Sequence, residues 1–134
     1  MNFLAIFLGV LAAYVFNAIW FGPKTFYPIW IRALGKPEPR REDADMSAKN
    51  QIKLFGGTFA GWLAMGVVAG VVISLIPNAT GFDGALVGLG LGVVAAGASV
   101  GHRLFANQGF KVWIIEASAD IIGLILIGLI IGLF

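Results

Sequence analysis

The chain has 134 residues, of which 59% are hydrophobic and 12% charged, with a formal net charge of +2 and a mean hydropathy of +0.92. That leaves too little polar surface to coat a water-soluble globule of this size, and the basic excess is small enough to be explained by connector charges, so nucleic acid is excluded as a partner. Zero cysteines remove disulfides, thiolate zinc sites, iron–sulfur clusters and Cys nucleophiles, while a single histidine argues against haem or a multi-histidine metal centre, so no cofactor is expected.

Four apolar runs dominate the chain. Met1 to Pro23, Phe55 to Ile76 and Gly84 to Gly101 carry no formal charge, and Val112 to Phe134 carries only Glu116 and Asp120. About twenty residues at 1.5 Å rise cross the roughly 30 Å hydrocarbon layer, so each run is long enough to span. The expected fold is all-α: one integral membrane four-helix bundle over 1–134 with antiparallel neighbours. Spans are placed near 2–22, 54–76, 84–101 and 112–133, with a loop at 23–53. Lys24, Arg32, Lys36, Arg40, Arg41, Lys49 and Lys53 fall in the first gap, Arg103 and Lys111 in the third, and none in the second. Four crossings put the first and third gaps on one side, where retention of basic loops in the cytoplasm demands them. The expected location is therefore the cell membrane, multi-pass, with both termini outside. The first run is read as a retained helix because Met1-Asn2 offers no basic n-region for a secretory signal.

The first span ends at Trp20-Phe21-Gly22-Pro23, where aromatics suit the headgroup level and Gly-Pro disfavours further helix. Thr25 to Leu34 mixes aromatic and cationic residues and predicts a short interfacial helix in the first cytoplasmic loop. Lys36 to Asp43 is a solvated linker of mixed charge. Asp45 or Ser47 can cap the next helix, so Met46 to Lys53 is expected to continue into the second span and make it the longest. Pro77 to Gly81 reads as a tight turn pairing spans two and three, and His102 to Lys111 pairs spans three and four in the same way.

Glycines recur at four-residue spacing inside the spans: Gly84, Gly88, Gly92 and Ala96 form a stripe with Gly97 and Gly101 beside it, and Gly57, Gly61, Gly66 and Gly70 lie on the second span. In lipid such stripes let helix backbones approach and gain dispersion contacts. There is more small surface than one bundle needs, so the partners expected besides the lipid bilayer are further copies of the chain, as a homo-oligomer, or a larger membrane complex.

Glu116 and Asp120 lie one turn apart on one face, roughly 6 Å and roughly 12 Å into the last span at 1.5 Å per residue. A carboxylate at that depth is costly unless paired, hydrated or protonated, so this face should look into the bundle, an interface or a water-filled cavity. Counting outward from Phe21 brings Asn17 to the level of Glu116 and Tyr14 to that of Asp120. The candidate site is a polar intramembrane cluster of Tyr14, Asn17, Glu116 and Asp120, with His102 and Arg103 at its cytoplasmic mouth. The expected function is a non-catalytic assembly or accessory subunit packed through its Gly-rich helix faces, which the small size favours and in which the acids are a polar pin; the alternative, which the paired acids favour, is a small proton-coupled transporter or cation channel using Glu116 and Asp120. No nucleophile elbow, phosphate loop or zincin pair is present, so no catalytic residue, no enzymatic activity and no metal site are expected.

The run Ala18-Ile19-Trp20-Phe21-Gly22-Pro23, continuing to Phe26 and Trp30, resembles the helix-one exit of a bacterial family known as domain of unknown function 1761. The start Met1 to Ile6, Leu104-Phe105 before the last span and the four-span length are similar to it as well. Gly22 stands where that family commonly has Ser, and the Glu116/Asp120 pair is not part of the likeness. The resemblance implies the architecture and assigns no catalytic residue.

Overall fold

A computed structural model describes residues 1–36 and 47–134 of the protein. These are helical throughout, with no strand among the described residues: α1 Phe3–Trp20, α2 Tyr27–Ala33, α3 Ala48–Gln51, a π-helical turn Ile52–Gly56, α4 Gly57–Ser74, α5 Gly81–Phe105 and α6 Phe110–Leu133. Four helices are long and apolar enough to cross a membrane: α1, the continuous Ala48–Ser74, α5 and α6. The 27-residue Ala48–Ser74 is the longest of them, in line with the expected continuation of the second span toward its N-terminal side. Its cap is Ser47, whose side chain accepts from the Asn50 amide at 3.3 Å. The alternative cap Asp45, the extension's first residue Met46 and most of the mixed-charge linker fall outside the described residues.

Local chemistry sets where the chain turns. The Thr25 hydroxyl donates to the Trp20 carbonyl at 2.7 Å and to that of Ile19, closing the end of α1 ahead of the short α2. Gly35, at φ 70°, ends α2. Asn78 at φ 53° makes the turn before α5, and α5 opens on a capping box in which Asp83 accepts from the Thr80 amide at 2.8 Å. Asn107 at φ 55° and Gly109 at φ 84° reverse the chain between α5 and α6 in only four residues. The third gap is thus shorter than the sequence suggests, and His102 and Arg103 belong to the last turn of α5.

α6 is the central helix, with 44% of its apolar window buried against 22–28% for the other three. It packs against α5 through backbone contact. Gly84, Gly88 and Gly92 face Gly128, Leu124 and Ile121, so close that a Cβ at any of the three would overlap main-chain atoms of α6. Gly9 of α1 lies against the Ile127 main chain, while Gly66 and Gly70 receive Val10 and Ile6 of α1. Most of the glycine spacing visible in the sequence is therefore consumed inside one chain. Gly57, Gly61, Gly90, Gly97 and Gly101 are the span glycines with no atom near their would-be Cβ.

The core runs through Ile6, Val10, Trp62, Ala69, Leu124 and Ile127. Outside it, Phe3, Val15, Val68, Phe82 and Val94 are all more than half exposed, the apolar exterior that a helix surrounded by lipid requires. α4 and α5 are antiparallel but splay apart, leaving an apolar cleft of about 290 Å³ between Met65, Val68, Leu91 and Val94, with Leu124 of α6 behind it. At one end of the bundle lie the end of α1, α2, the start of Ala48–Ser74, the end of α5 and the start of α6. Every described Lys and Arg is at that end.

Candidate functional site

At the basic end, α1, Ala48–Ser74, α5 and α6 line an open cavity of about 610 Å³. Tyr14, Asn17, Ala18 and Phe21 line it from α1, and Leu54, Phe55, Thr58 and Trp62 from the second spanning helix. Arg103 comes from α5, Glu116 and Asp120 from α6. Tyr14, Asn17, Glu116, Asp120 and Arg103 therefore meet around one space. His102 is exposed and is not among the residues lining it.

The two acids have opposite surroundings. Glu116 is tied on both oxygens: Arg103 Nε forms an ion pair with Oε2, and Trp30 Nε1 donates to Oε1 at 3.0 Å. Trp30 belongs to α2, so the short helix is latched to α6 through a charged acceptor, a stronger bond than one between neutral groups. The Phe21 and Trp30 rings meet edge to face at 5.7 Å, joining that latch to the cavity wall. Asp120, one turn deeper and half-buried, has no hydrogen bond or ion pair among the described residues.

The neutral polar groups all donate to main-chain carbonyls, Thr58 and Asn17 within their own helices and Tyr14 across to the second spanning helix. The Tyr14 hydroxyl donates to the Phe55 carbonyl at 3.1 Å, Thr58 to the Leu54 carbonyl at 2.6 Å, and Asn17 Nδ2 to the Ala13 carbonyl at 3.2 Å. Leu54 and Phe55 lie in the π-helical turn, where the wider i→i+5 geometry displaces carbonyls from their usual partners; side-chain donors meet two of them here. No hydrogen bond joins any two of Tyr14, Asn17, Glu116 and Asp120. The cluster shares a cavity without forming a network.

Three participants lie beyond what spacing alone could indicate. Trp30 and Trp20 read from sequence as headgroup anchors, yet Trp20 Nε1 donates to the Ile115 carbonyl of α6 at 3.1 Å, and Trp30 holds Glu116. Phe55 enters the site through the π turn, for which the sequence carries no signal. Among the described residues no three His, Asp or Glu side chains converge on a point that could hold a metal ion.

The model of a family described as a protein of unknown function, DUF1761, matches residues 4–132, nearly the whole chain. The chain belongs to the DUF1761 family. No curated protein and no solved structure matches it. In this DUF1761 protein the Trp20 to Trp30 segment that carried the likeness in sequence packs directly against α6, with Trp20 stacked on Phe26 at 4.2 Å and Trp30 bonded to Glu116. The family assignment brings no known activity with it, and the chemistry of the cavity has to be read from its own residues.

Proposed function

We propose that the protein is a small cation carrier of the membrane, binding its solute at Asp120, with the basic connectors in the cytoplasm and both termini outside. The observation that carries this reading is the contrast between the acids. A polar pin holding helix register would have its carboxylate closed by partners, as Glu116 is. Asp120 instead has no hydrogen bond or ion pair among the described residues and lines a cavity of about 610 Å³, within the roughly 300–1,000 Å³ typical of small-molecule sites. An acid kept unpaired within a spanning helix is a cost that a purely structural role leaves unexplained.

The test is flux in liposomes containing only the purified protein, driven by an imposed pH gradient and read with an internal pH dye, with sodium or a quaternary ammonium ion supplied outside in turn as the exchanging cation. Wild-type protein is expected to dissipate the gradient and Asp120→Asn to leave it standing. Equal rates for the two overturn the reading. Topology is checked separately, since the chain lacks cysteine. Phe134→Cys is expected to react with an impermeant maleimide on intact cells, and Lys36→Cys only after permeabilisation.

A second reading, a non-catalytic assembly subunit, draws on Gly90, Gly97 and Gly101, which leave open space on α5 where another helix could approach closely. Disulfide crosslinking of Gly97→Cys in membranes, into a dimer or onto another protein, supports it; absence of any crosslink counts against it.

A further inference from the structure

Resting on the carrier reading, the geometry points to a class of solute: a hydrophobic organic monocation, such as a quaternary ammonium or phosphonium ion. Charge comes first. Two carboxylates and one guanidinium line the cavity, and the guanidinium is already paired with Glu116, leaving Asp120 as the unbalanced charge. Among the described residues lining the cavity, no cation is left free for an anion.

Hydrogen-bond polarity points the same way. The hydroxyl protons of Tyr14 and Thr58 are both spent on main-chain carbonyls, so these two oxygens turn only lone pairs to the cavity and favour positive charge there, while Asn17 keeps one amide N–H beyond the one given to Ala13. An inorganic ion, in contrast, needs a compact cage of oxygens, six to eight for calcium and six in near-octahedral array for magnesium. With Glu116 occupied, one free carboxylate and two hydroxyls do not build such a cage, and among the described residues no third acid or histidine joins them.

The rest of the lining is aromatic. Tyr14, Phe21, Phe55 and Trp62 surround the carboxylate's space, and ring faces attract a diffuse, poorly hydrated cation by their quadrupole while receiving its apolar groups. Trp62 is held in place, 4% exposed, with its ring edge against Gly123. Phe55 and Leu54, 63% and 54% exposed, form an apolar lip by which such an ion can enter without crossing a polar barrier.

Equilibrium binding of radiolabelled tetraphenylphosphonium to the purified full chain in detergent tests the assignment. Saturable binding is expected, weakened at least about tenfold by Asp120→Asn through loss of the counter-charge. Phe55→Ala is expected to weaken it about twofold to tenfold, with Phe55→Tyr restoring affinity because it keeps a ring face. Wild-type-like circular dichroism and elution of each variant guard against misfolding. Undiminished binding in Asp120→Asn, or displacement of the probe by millimolar sodium or magnesium at constant ionic strength, overturns the assignment. The liposome assay separates the two levels. Asp120-dependent flux without probe binding sinks the organic-cation assignment and leaves the carrier reading; Asp120-dependent probe binding without flux of either proton or probe does the reverse.

Discussion

Replacing Gly88 with alanine should separate α5 from α6, and the structure gives the size of the effect. A Cβ at Gly88 would stand 2.7 Å from the Leu124 carbonyl carbon and 2.9 Å from Ile125 Cα, both main-chain atoms. Carbon atoms rest at about 3.5–4.0 Å, so the helices must part by about 1 Å at this level. A gap of about that size forfeits a quarter to a half of each dispersion contact, and overpacking of this kind costs about 1–3 kcal/mol. The helix propensity of alanine returns at most about 1 kcal/mol. Gly90, two residues along, has nothing within 4 Å, so Gly90→Ala gains the propensity without the clash. Gly88→Ala is therefore expected to be less stable than Gly90→Ala by about 1–3 kcal/mol. Reversible unfolding in mixed micelles, followed by circular dichroism, measures the difference. Equal stabilities, or a more stable Gly88→Ala, would refute direct backbone packing of α5 on α6.

Three further outcomes follow from single contacts. Trp30→Phe and Glu116→Gln, alone and combined, should show a coupling of about 1 kcal/mol in the same unfolding assay, because each removes part of one charge-assisted hydrogen bond; additive effects would detach α2 from α6. Gly123→Ala puts a Cβ 2.8 Å from Trp62 Cζ3, so it should push the indole toward the cavity, shift tryptophan emission and lower tetraphenylphosphonium affinity; unchanged emission counts against that packing. Thr80→Ala removes one half of the capping box and should cost about 1 kcal/mol, read as earlier thermal unfolding, with no effect on flux or binding at the far end of the bundle.

How much of this was legible beforehand differs between levels of structure. The spans follow from length and hydropathy alone, which are properties of each segment by itself. Depth counting then put Asn17 level with Glu116 and Tyr14 level with Asp120, and all four line the cavity, because rise per residue is fixed in any helix. Rotational phase is different. These helices are apolar on every side, so no amphipathic stripe says which face turns inward. That is why the spacing of Gly84, Gly88 and Gly92 did not distinguish a neighbouring copy from α6, and why His102 and Arg103, adjacent in sequence, separate into an exposed residue and a cavity residue. The part played by Trp30 was hidden for another reason: an indole has one polar atom, and whether it meets water, a headgroup or Glu116 depends on how α2 folds back.

The unequal treatment of two acids one turn apart yields a test that a purely structural account does not share. Arg103 stays at Glu116 because that carboxylate lies within reach of the last turn of α5, and Asp120, about 6 Å further along α6, is left unbalanced. Removing the nearer partner changes the competition. In Glu116→Gln the guanidinium loses its counter-charge, and its flexible stem can carry it deeper, to Asp120. Probe affinity should then fall about tenfold although Asp120 is intact, since the solute must displace an internal cation. Arg103→Ala added to Glu116→Gln should restore binding, because nothing remains to compete for the free carboxylate. If the double variant binds as poorly as Glu116→Gln alone, Glu116 supports the site through some route other than holding Arg103 away from it.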